Sequence, residues 1–478
     1  MTIQTLFGKT KLIHFLGIGG IGMSGIARVV SSLGCQVSGS DLSRSEITDE
    51  LEELGMIIKI GKHSKKNLLP NVDVLVNSSA ISPANPEILE AKKRGIPIIS
   101  RAEMLSEIMR LKKGIAIAGT HGKTTTTSMT AAIFNQAKLE PTTIIGGKWF
   151  AINCNAQVGK SDYLISEADE SDGSFLKLSP VYSAVTNIDW DHMDFYKNKE
   201  RLLLYFLDFI NKTPFYGMSS LCFDDENILN LVGEIEKPFI GYAIDDDQKK
   251  KGGLKKTSLI ASNIDYKPTY TEYDLSTKEK KLDRLRLNIP GRHNVLNSLA
   301  AVSLSLEVGI PLNVISAALL TFQGVERRMS RLGHWRGFEL IDDYGHHPRE
   351  IYATLSTIKK HCDELVVVFQ PHRFSRTLEH YADFAKSLTI ADRLYLAPIY
   401  SAGETPIENA NSNLIAEEVK KLLPTQPVIL GSSLDEIYSI ILEKEKGATK
   451  KNACLITIGA GNIFEVGKKL KQSEHVLA

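Results

Sequence analysis

GIAIAGTHGKTTTT, residues 114–127, is the stretch on which the fold turns. Five small apolar residues, Gly114 to Ala118, read as a buried parallel strand. Gly119-Thr120-His121-Gly122-Lys123-Thr124 follows, and a helix is expected from about Lys123 to Ala137. Strand, glycine loop, Lys-Thr and helix form a phosphate loop. Backbone N–H groups cradle phosphate oxygens, the lysine meets the β/γ oxygens, and the threonine hydroxyl reaches Mg²⁺. The first glycine of the usual pattern is missing, since position 117 is Ile. A lysine at a helix start still calls for an anion, so ATP binding is expected, with Thr125 extending the hydroxyl row.

A second glycine loop lies upstream. Gly17, Gly19, Gly20 and Gly22 in GIGGIG follow an expected strand, Lys11–Leu16, and precede a helix from about Met23. Asp41 ends the next strand, 19 residues past Gly22. This arrangement suits a pyrophosphate at a helix N-terminus, carried by a dinucleotide or a UDP-sugar. By itself it reads equally as a dehydrogenase. ATP and a second nucleotide on separate blocks suit an ATP-driven enzyme with a nucleotide-linked substrate.

Strands alternate with helices along most of the chain, so a parallel, doubly wound α/β protein is expected. Three blocks emerge: a Rossmann-like 1–112, a central ATP-binding 113–324 with a small antiparallel portion, and a Rossmann-like 325–478. The lysine-rich DDDQKKKGGLKK (245–256) reads as a solvated turn before a hairpin or meander.

Composition narrows the class. The chain has 478 residues, 57 Lys and Arg against 56 Asp and Glu, and a net charge of +1. That balance gives no basic footprint for nucleic acid. No apolar run reaches the roughly 18 residues of a membrane span. Five scattered cysteines without a CxxC read as reduced thiols. No cleavable signal pattern opens the chain, and a cytoplasmic protein is expected.

Acidic and imidazole groups cluster where open α/β sheets place ligands, past strand C-terminal ends. SEADESD (166–172) holds Glu167, and NIDWDHMD (187–194) holds His192. Beside a phosphate loop they suit Mg²⁺ or Mn²⁺; capping of following helices is the plainer alternative. GRHN (291–294) offers His293 and Asn294, GVERRMS (324–330) an arginine pair, and DDYGHHP (342–348) Asp343, His346 and His347. QPHRFSRT (370–377) offers Arg373 and Arg376, which share a face if a helical turn starts there and suit a carboxylate or phosphate.

The order GIGGIGMSGIA, SSAI, RAEML, GTHGKTTTT, EADESD, DHMD, PGRHN, DDYGHHP and QPHRFSRT resembles the Mur ligases nearly end to end. The resemblance implies a three-domain enzyme that joins L-alanine to the lactoyl carboxylate of UDP-N-acetylmuramate at the expense of ATP. A relative that attaches a recycled tripeptide to the same nucleotide is the alternative.

By resemblance, the first glycine loop, Asp41, Ser78 and Ser79 bind the UDP portion. Residues Gly119 to Thr125 hold ATP, and Thr124, Glu167 and His192 hold the metal. His293 and Asn294 contact adenine; Arg328 and Asp343 complete the ATP site. His346 and His347 face the reacting centre, and Arg373 and Arg376 hold the muramyl carboxylate. Several sister ligases use a carbamylated lysine after the DHMD-like motif, but LLYFLDF (203–209) offers none. A Rossmann NAD-dependent oxidoreductase would leave the phosphate loop unexplained. An ATP-gated switch without catalysis would leave the metal and arginine clusters unexplained.

Overall fold

The computed structural model describes residues 7–78, 81–149, 154–245 and 257–477. Three sheets carry them. The first contains β1 (Leu12–Leu16), β2 (Gln36–Asp41), β3 (Ile57–Ile60), β4 (Val74–Asn77) and β5 (Ile98–Ser100) in the order β3-β2-β1-β4-β5. Every pair in it is parallel. The order reverses beside β1, and the glycine loop leaves the C-terminal end of that strand, the switch point where such sheets bind ligands.

The second sheet has ten strands: β6 (Lys113–Ala118), β7 (Thr142–Trp149), β8 (Cys154–Gln157), β9 (Tyr163–Glu167), β10 (Tyr182–Val185), β11 (Met218–Cys222), β12 (Phe239–Ile244), β13 (Thr257–Tyr266), β14 (Thr271–Ser276) and β15 (Lys281–Leu287). Their order is β15-β14-β13-β12-β11-β10-β6-β9-β7-β8. The core around β6 is parallel, and β8 closes one edge antiparallel to β7. The meander expected near the lysine run is present as β13 to β15. Its turns are closed by Lys267 N–H to Tyr270 O and Thr277 N–H to Lys280 O, both 2.9 Å. Most of the lysine run itself lies outside the described residues.

The third sheet runs β16 (Ser330–Trp335), β17 (Phe338–Asp343), β21 (Ala453–Ile458), β18 (Glu364–Phe369), β19 (Arg393–Leu396) and β20 (Val428–Leu430). Alternation along its strands builds two cores, because successive side chains leave a strand on opposite faces. Val367 and Phe369 join Ile351, Leu355 and Phe384 on one face; Val366 and Val368 join Ile437 and Val466 on the other. Helices on both faces explain why the central strands β18 and β21 are buried along their whole length and almost wholly apolar.

The chain folds into two compact units. One comprises 1–264, 272–288 and 294–323 and contains the first sheet and most of the second; the other comprises 265–271, 289–293 and 324–478. Among the described residues no helix is long and apolar enough to cross a membrane.

The sequence places strands at Lys11–Leu16, Phe338–Asp342 and Ala453–Ile458, and β1, β17 and β21 lie there, whereas β10 differs. The expected Ala184–Asn187 strand ends at Val185, so Thr186 and Asn187 are released to the loop beside it.

Gly39 fixes how β2 meets the first glycine loop. A Cβ there would lie 2.6 Å from Ile18 Cδ1 and 2.8 Å from Phe15 O. Gly39→Ala is expected to lower the urea unfolding free energy by about 1–3 kcal/mol, the usual size of an overpacking strain. An unchanged midpoint would show that the loop can yield without cost.

Candidate active site

The phosphate loop is built from close backbone approaches. Gly119 (φ +129°) and Gly122 (φ +85°) sit in the left-handed region. A Cβ on Gly119 would collide with Thr186 Oγ1, and one on Gly122 with Asn297 Oδ1. Only glycine meets both demands. Asn187 clamps the loop: its Oδ1 accepts His121 N–H at 2.9 Å, its Nδ2 donates to His121 O at 2.9 Å, and its carbonyl accepts Thr120 N–H at 3.1 Å. Thr120 Oγ1 accepts Asp189 N–H at 2.8 Å, and His121 Nε2 lies 3.2 Å from buried Asp189.

Helix Lys123–Gln136 starts here with Gly122 as its N-cap and no side-chain cap. Its first turn therefore keeps the partial positive charge of an open helix end. Lys123 Nζ donates to Gly119 O at 2.6 Å, to Thr120 O at 3.2 Å and to Glu170 Oε1 at 2.8 Å. Burial would lower this lysine, but Glu170, Asp169 and Glu167 hold it above its ordinary value. Glu170 is buried more deeply than the partly exposed Lys123, and burial pushes its carboxyl up to about 7 against the pull of Lys123. Thr124 remains half-exposed, whereas Thr125, Thr126 and Thr127 are buried. The hydroxyl row thus turns into the core after its first member.

Glu167 ends β9 and accepts Gly146 N–H at 2.7 Å. His192 takes φ +57°, strained for a non-glycine residue, and its Nε2 lies 4.0 Å from Glu170 Oε1. These oxygen and imidazole donors suit a hard divalent cation near phosphate.

The first glycine loop is likewise anchored. Gly17 (φ +80°) and Ile18 donate N–H bonds to Ser40 O at 2.8 and 3.1 Å. Asp41 Oδ2 accepts Gly19 N–H at 2.8 Å. Gly20 caps helix Ile21–Ser32 without a side-chain bond, and Arg101 stands 3.0 Å from where a Gly22 Cβ would be. Arg101 also pairs with Asp169 at 3.0 Å. Ser78 follows β4 beside Gly17, while Ser79 lies outside the described residues.

In the second unit, Asp343 accepts Met329 N–H at 2.9 Å and Gly345 N–H at 2.8 Å, and burial raises its carboxyl to about 6 against the nearby Arg328. The arginine pair divides its work. Arg327 is spent on structure, bonding Asp342 Oδ2, Gly461 O and Gly459 O, whereas Arg328 lies over Tyr344, 3.9 Å from Glu350. His346 N–H bonds Glu350 Oε2 at 3.0 Å, and His347 caps helix Pro348–Lys359. Helix Phe374–Leu388 begins one residue after Arg373, which is exposed at φ +72°, while Arg376 is buried in its first turn. The two arginines therefore do not form an i,i+3 helical pair. His372 stacks on Tyr400, and burial beside Arg376 and Arg373 lowers it to about 4. His293 belongs to this unit and Asn294 to the other.

Family models match three consecutive stretches: residues 12–113 (Mur ligase family, catalytic domain), 117–305 (Mur ligase middle domain) and 327–461 (Mur ligase, glutamate ligase domain). The chain belongs to the Mur ligase family. Among Mur ligases it is similar to the UDP-N-acetylmuramate–L-alanine ligase of Geotalea uraniireducens, 46% identical and covering 97% of this chain and 98% of that one. The ligase of the same name from Solidesulfovibrio magneticus is 44% identical, covering 98% and 99%. The crystal structure of UDP-N-acetylmuramate–alanine ligase from Thermotoga maritima superposes with a TM-score of 0.80 at 28% identity, covering 98% and 99%. A murein peptide ligase from Psychrobacter arcticus shares the fold, with a TM-score of 0.69 at 24% identity, covering 97% and 98%.

Sequence reasoning missed four residues of this site. Glu170 was within the quoted acidic cluster, but nothing in its spacing separated it from Glu167. Asn187 and Thr186 were read as strand. Asn297 lies three residues past GRHN, and its closeness to Gly122 needs the fold.

His293 provides a pH test. Burial and Arg328 lower it from 6.5 to about 4, against the opposing pull of Glu350. Between those values the unfolded chain binds a proton that the folded chain does not, so this group costs stability as pH falls from 6.5 toward 4. Asp343, raised from 3.8 to about 6, acts with the opposite sign between those values. Comparing wild type with His293→Gln isolates the first effect: the variant's stability relative to wild type should rise as pH falls through that window. Equal pH slopes in urea titrations would show that His293 titrates normally in the fold.

Proposed function

We propose that this chain joins L-alanine to the lactoyl carboxylate of UDP-N-acetylmuramate, with ATP converted to ADP and phosphate, in peptidoglycan precursor synthesis. The carrying observation is Lys123: a half-buried ammonium at an uncapped helix start, in a loop whose Gly119 and Gly122 positions admit only glycine. Full-length similarity to alanine-adding ligases at 44% and 46% identity supports the substrates.

A carboxylate is a poor electrophile because its leaving group is oxide. Phosphorylation by ATP gives an acyl phosphate and ADP. The neutral amine of L-alanine attacks the acyl carbon, and phosphate departs from the tetrahedral intermediate. Lys123 stabilises charge developing on the transferred phosphoryl group. Thr124, Glu167 and His192 are the residues that would hold Mg²⁺ or Mn²⁺, which when bound adds Lewis-acid stabilisation. Gly119 to Thr125 hold the ATP phosphates, His293 and Asn294 contact adenine, and Arg328 and Asp343 belong to the same nucleotide site.

Gly17, Gly19, Gly20, Gly22, Asp41, Ser78 and Ser79 take the UDP portion. Arg373 and Arg376 orient the muramyl carboxylate, and His346 and His347 face the reacting centre. The division into 1–112, 113–324 and 325–478 assigns UDP-sugar, ATP and amino acid in that order.

Lys123→Ala is expected to lose at least roughly 10²–10³ in ligation rate while keeping UDP binding, which rests on another loop. Coupled ADP release measures the first and calorimetry with UDP the second. Near-normal turnover would remove the ATP-loop assignment.

L-alanine should support ADP release that depends on UDP-N-acetylmuramate, whereas the L-Ala–D-Glu–diaminopimelate tripeptide should not. Glycine and L-serine should react slowly, since one methylene is worth about 1–3 kcal/mol of discrimination. Mass spectrometry of parallel incubations decides between the amino acid and the tripeptide.

A further inference from the structure

Beneath the first glycine loop lies a polar cluster that the reaction above does not use. Glu87 and His14 are both fully buried. Four donors converge on the Glu87 carboxylate: His14 Nε2 at 2.9 Å and Ser40 Oγ at 2.8 Å on Oε2, His63 Nδ1 at 3.0 Å and Asn67 Nδ2 at 2.9 Å on Oε1. Burial would raise this carboxyl, but the bonds from His14, Ser40, Asn67 and His63 overcome it and hold it down at about 2. Glu87 is therefore ionised and accepts only.

That fixes the tautomers. His14 donates through Nε2, and its Nδ1 accepts from Ser38 Oγ at 2.9 Å. His63 donates through Nδ1, and in the neutral form of the ring Nε2 is then the acceptor. No partner for Nε2 is present among the described residues. His63 lies just past β3 at the C-terminal edge of the sheet, and its side chain is the most exposed of the cluster's two histidines and carboxylate, at 12%. A cavity of about 380 Å³ opens beside it, lined by Ser64, Lys65, Pro86 and Leu89 among others. The cluster is also bonded to the loop, since the Ser40 whose hydroxyl meets Glu87 gives its carbonyl to Gly17 and Ile18 N–H.

Burying an ionised carboxylate and its imidazole partner is costly, and apolar residues often serve a core as well, so the cluster calls for a role beyond packing. We infer that Glu87 is a positioning residue for the nucleoside end of the UDP substrate, aiming His63 Nε2 at a hydrogen-bond donor on that nucleoside. The inference rests on the proposed UDP site. The donor is either uracil N3–H or a ribose hydroxyl.

The test is calorimetric binding of UDP to the full chain, with steady-state kinetics alongside. Glu87→Gln places an amide N–H₂ against groups that are already donors, and His63→Ala removes the aimed ring at the surface. Each should weaken UDP roughly tenfold, the usual worth of one well-placed hydrogen bond and its desolvation. KM for UDP-N-acetylmuramate should rise, while kcat and KM for ATP stay near wild type. The double variant should lose no more than His63→Ala alone, because both act through one contact. His63→Gln, which can present an acceptor at similar reach, should recover part of the affinity. N3-methyl-UDP and 2′-deoxy-UDP identify the donor: the analogue lacking it is penalised in wild type and not in His63→Ala.

Additive losses, or equal penalties for both analogues in wild type and His63→Ala, overturn the proposal. So does a melting-temperature drop in Glu87→Gln with UDP affinity unchanged in both variants. A wild-type chain that binds no UDP removes the underlying site assignment as well, which separates that failure from a failure of Glu87 alone.

Discussion

A buried carboxylate needs a cation, and the Lys123–Glu170 pair is the interaction around which the central sheet is arranged. Glu170 reaches Lys123 because β9 lies directly beside β6, so the segments leaving these two parallel strands emerge at the same edge. β10, on the other side of β6, brings Thr186 and Asn187 to the loop. Three neighbouring strand ends thus supply the loop, its counter-ion and its clamp. When phosphate oxygens approach, they offer the ammonium the same chemistry that Glu170 and two carbonyls offer it now. The resting bonds keep the lysine charged and aimed without a ligand.

Backbone strain marks residues of both units. His192, Arg327 and Arg373 all carry positive φ without being glycine, and each stands where a strand end or helix start meets the candidate chemistry. Arg327 shows how such a backbone is held: its guanidinium is tied to Asp342 and two glycine carbonyls and lies over Phe464. That staple fixes the neighbouring Arg328 without engaging it. Arg373 is held from the main chain, its N–H bonding Tyr400 O at 2.8 Å, which leaves its side chain exposed.

The sequence disclosed most where local pattern and chemistry coincide. Ala453–Ile458 is apolar but for Thr457 and is followed by glycine, and it is a strand over those residues. The two glycine loops were legible because phosphate chemistry demands glycines and an open helix end at fixed spacing. Asn187 was not legible: after an apolar run, period alone cannot say whether one more residue stays in the strand, and the answer is set by the loop across the sheet. Glu170 was hidden differently. Three carboxylates lie within four residues, and which one faces Lys123 depends on how the chain turns after β9. The Arg373 and Arg376 pairing failed as a helical pair because the helix starts at Phe374, a boundary that sequence fixes poorly. The Glu87 cluster was invisible because His14, His63 and Glu87 are far apart in the chain and meet only through the sheet order.

The two glycine loops look alike in sequence and differ in electrostatics, and the difference bears on what each can hold. In the first, a carboxylate already occupies the loop, since Asp41 accepts Gly19 N–H, and no lysine stands in it. An anion there would meet backbone dipoles shared with Asp41, with Arg101 beside Gly22, which suits a static pyrophosphate whose sugar hydroxyls can donate to that carboxylate. In the second loop the ammonium of Lys123 follows Gly122 directly, with further carboxylates close by. Such a site can stabilise charge that moves during phosphoryl transfer, which backbone dipoles alone do less well. A dehydrogenase needs only the first kind of loop. A ligase that activates a nucleotide-linked carboxylate needs one loop to hold and another to transfer, and this chain has one of each.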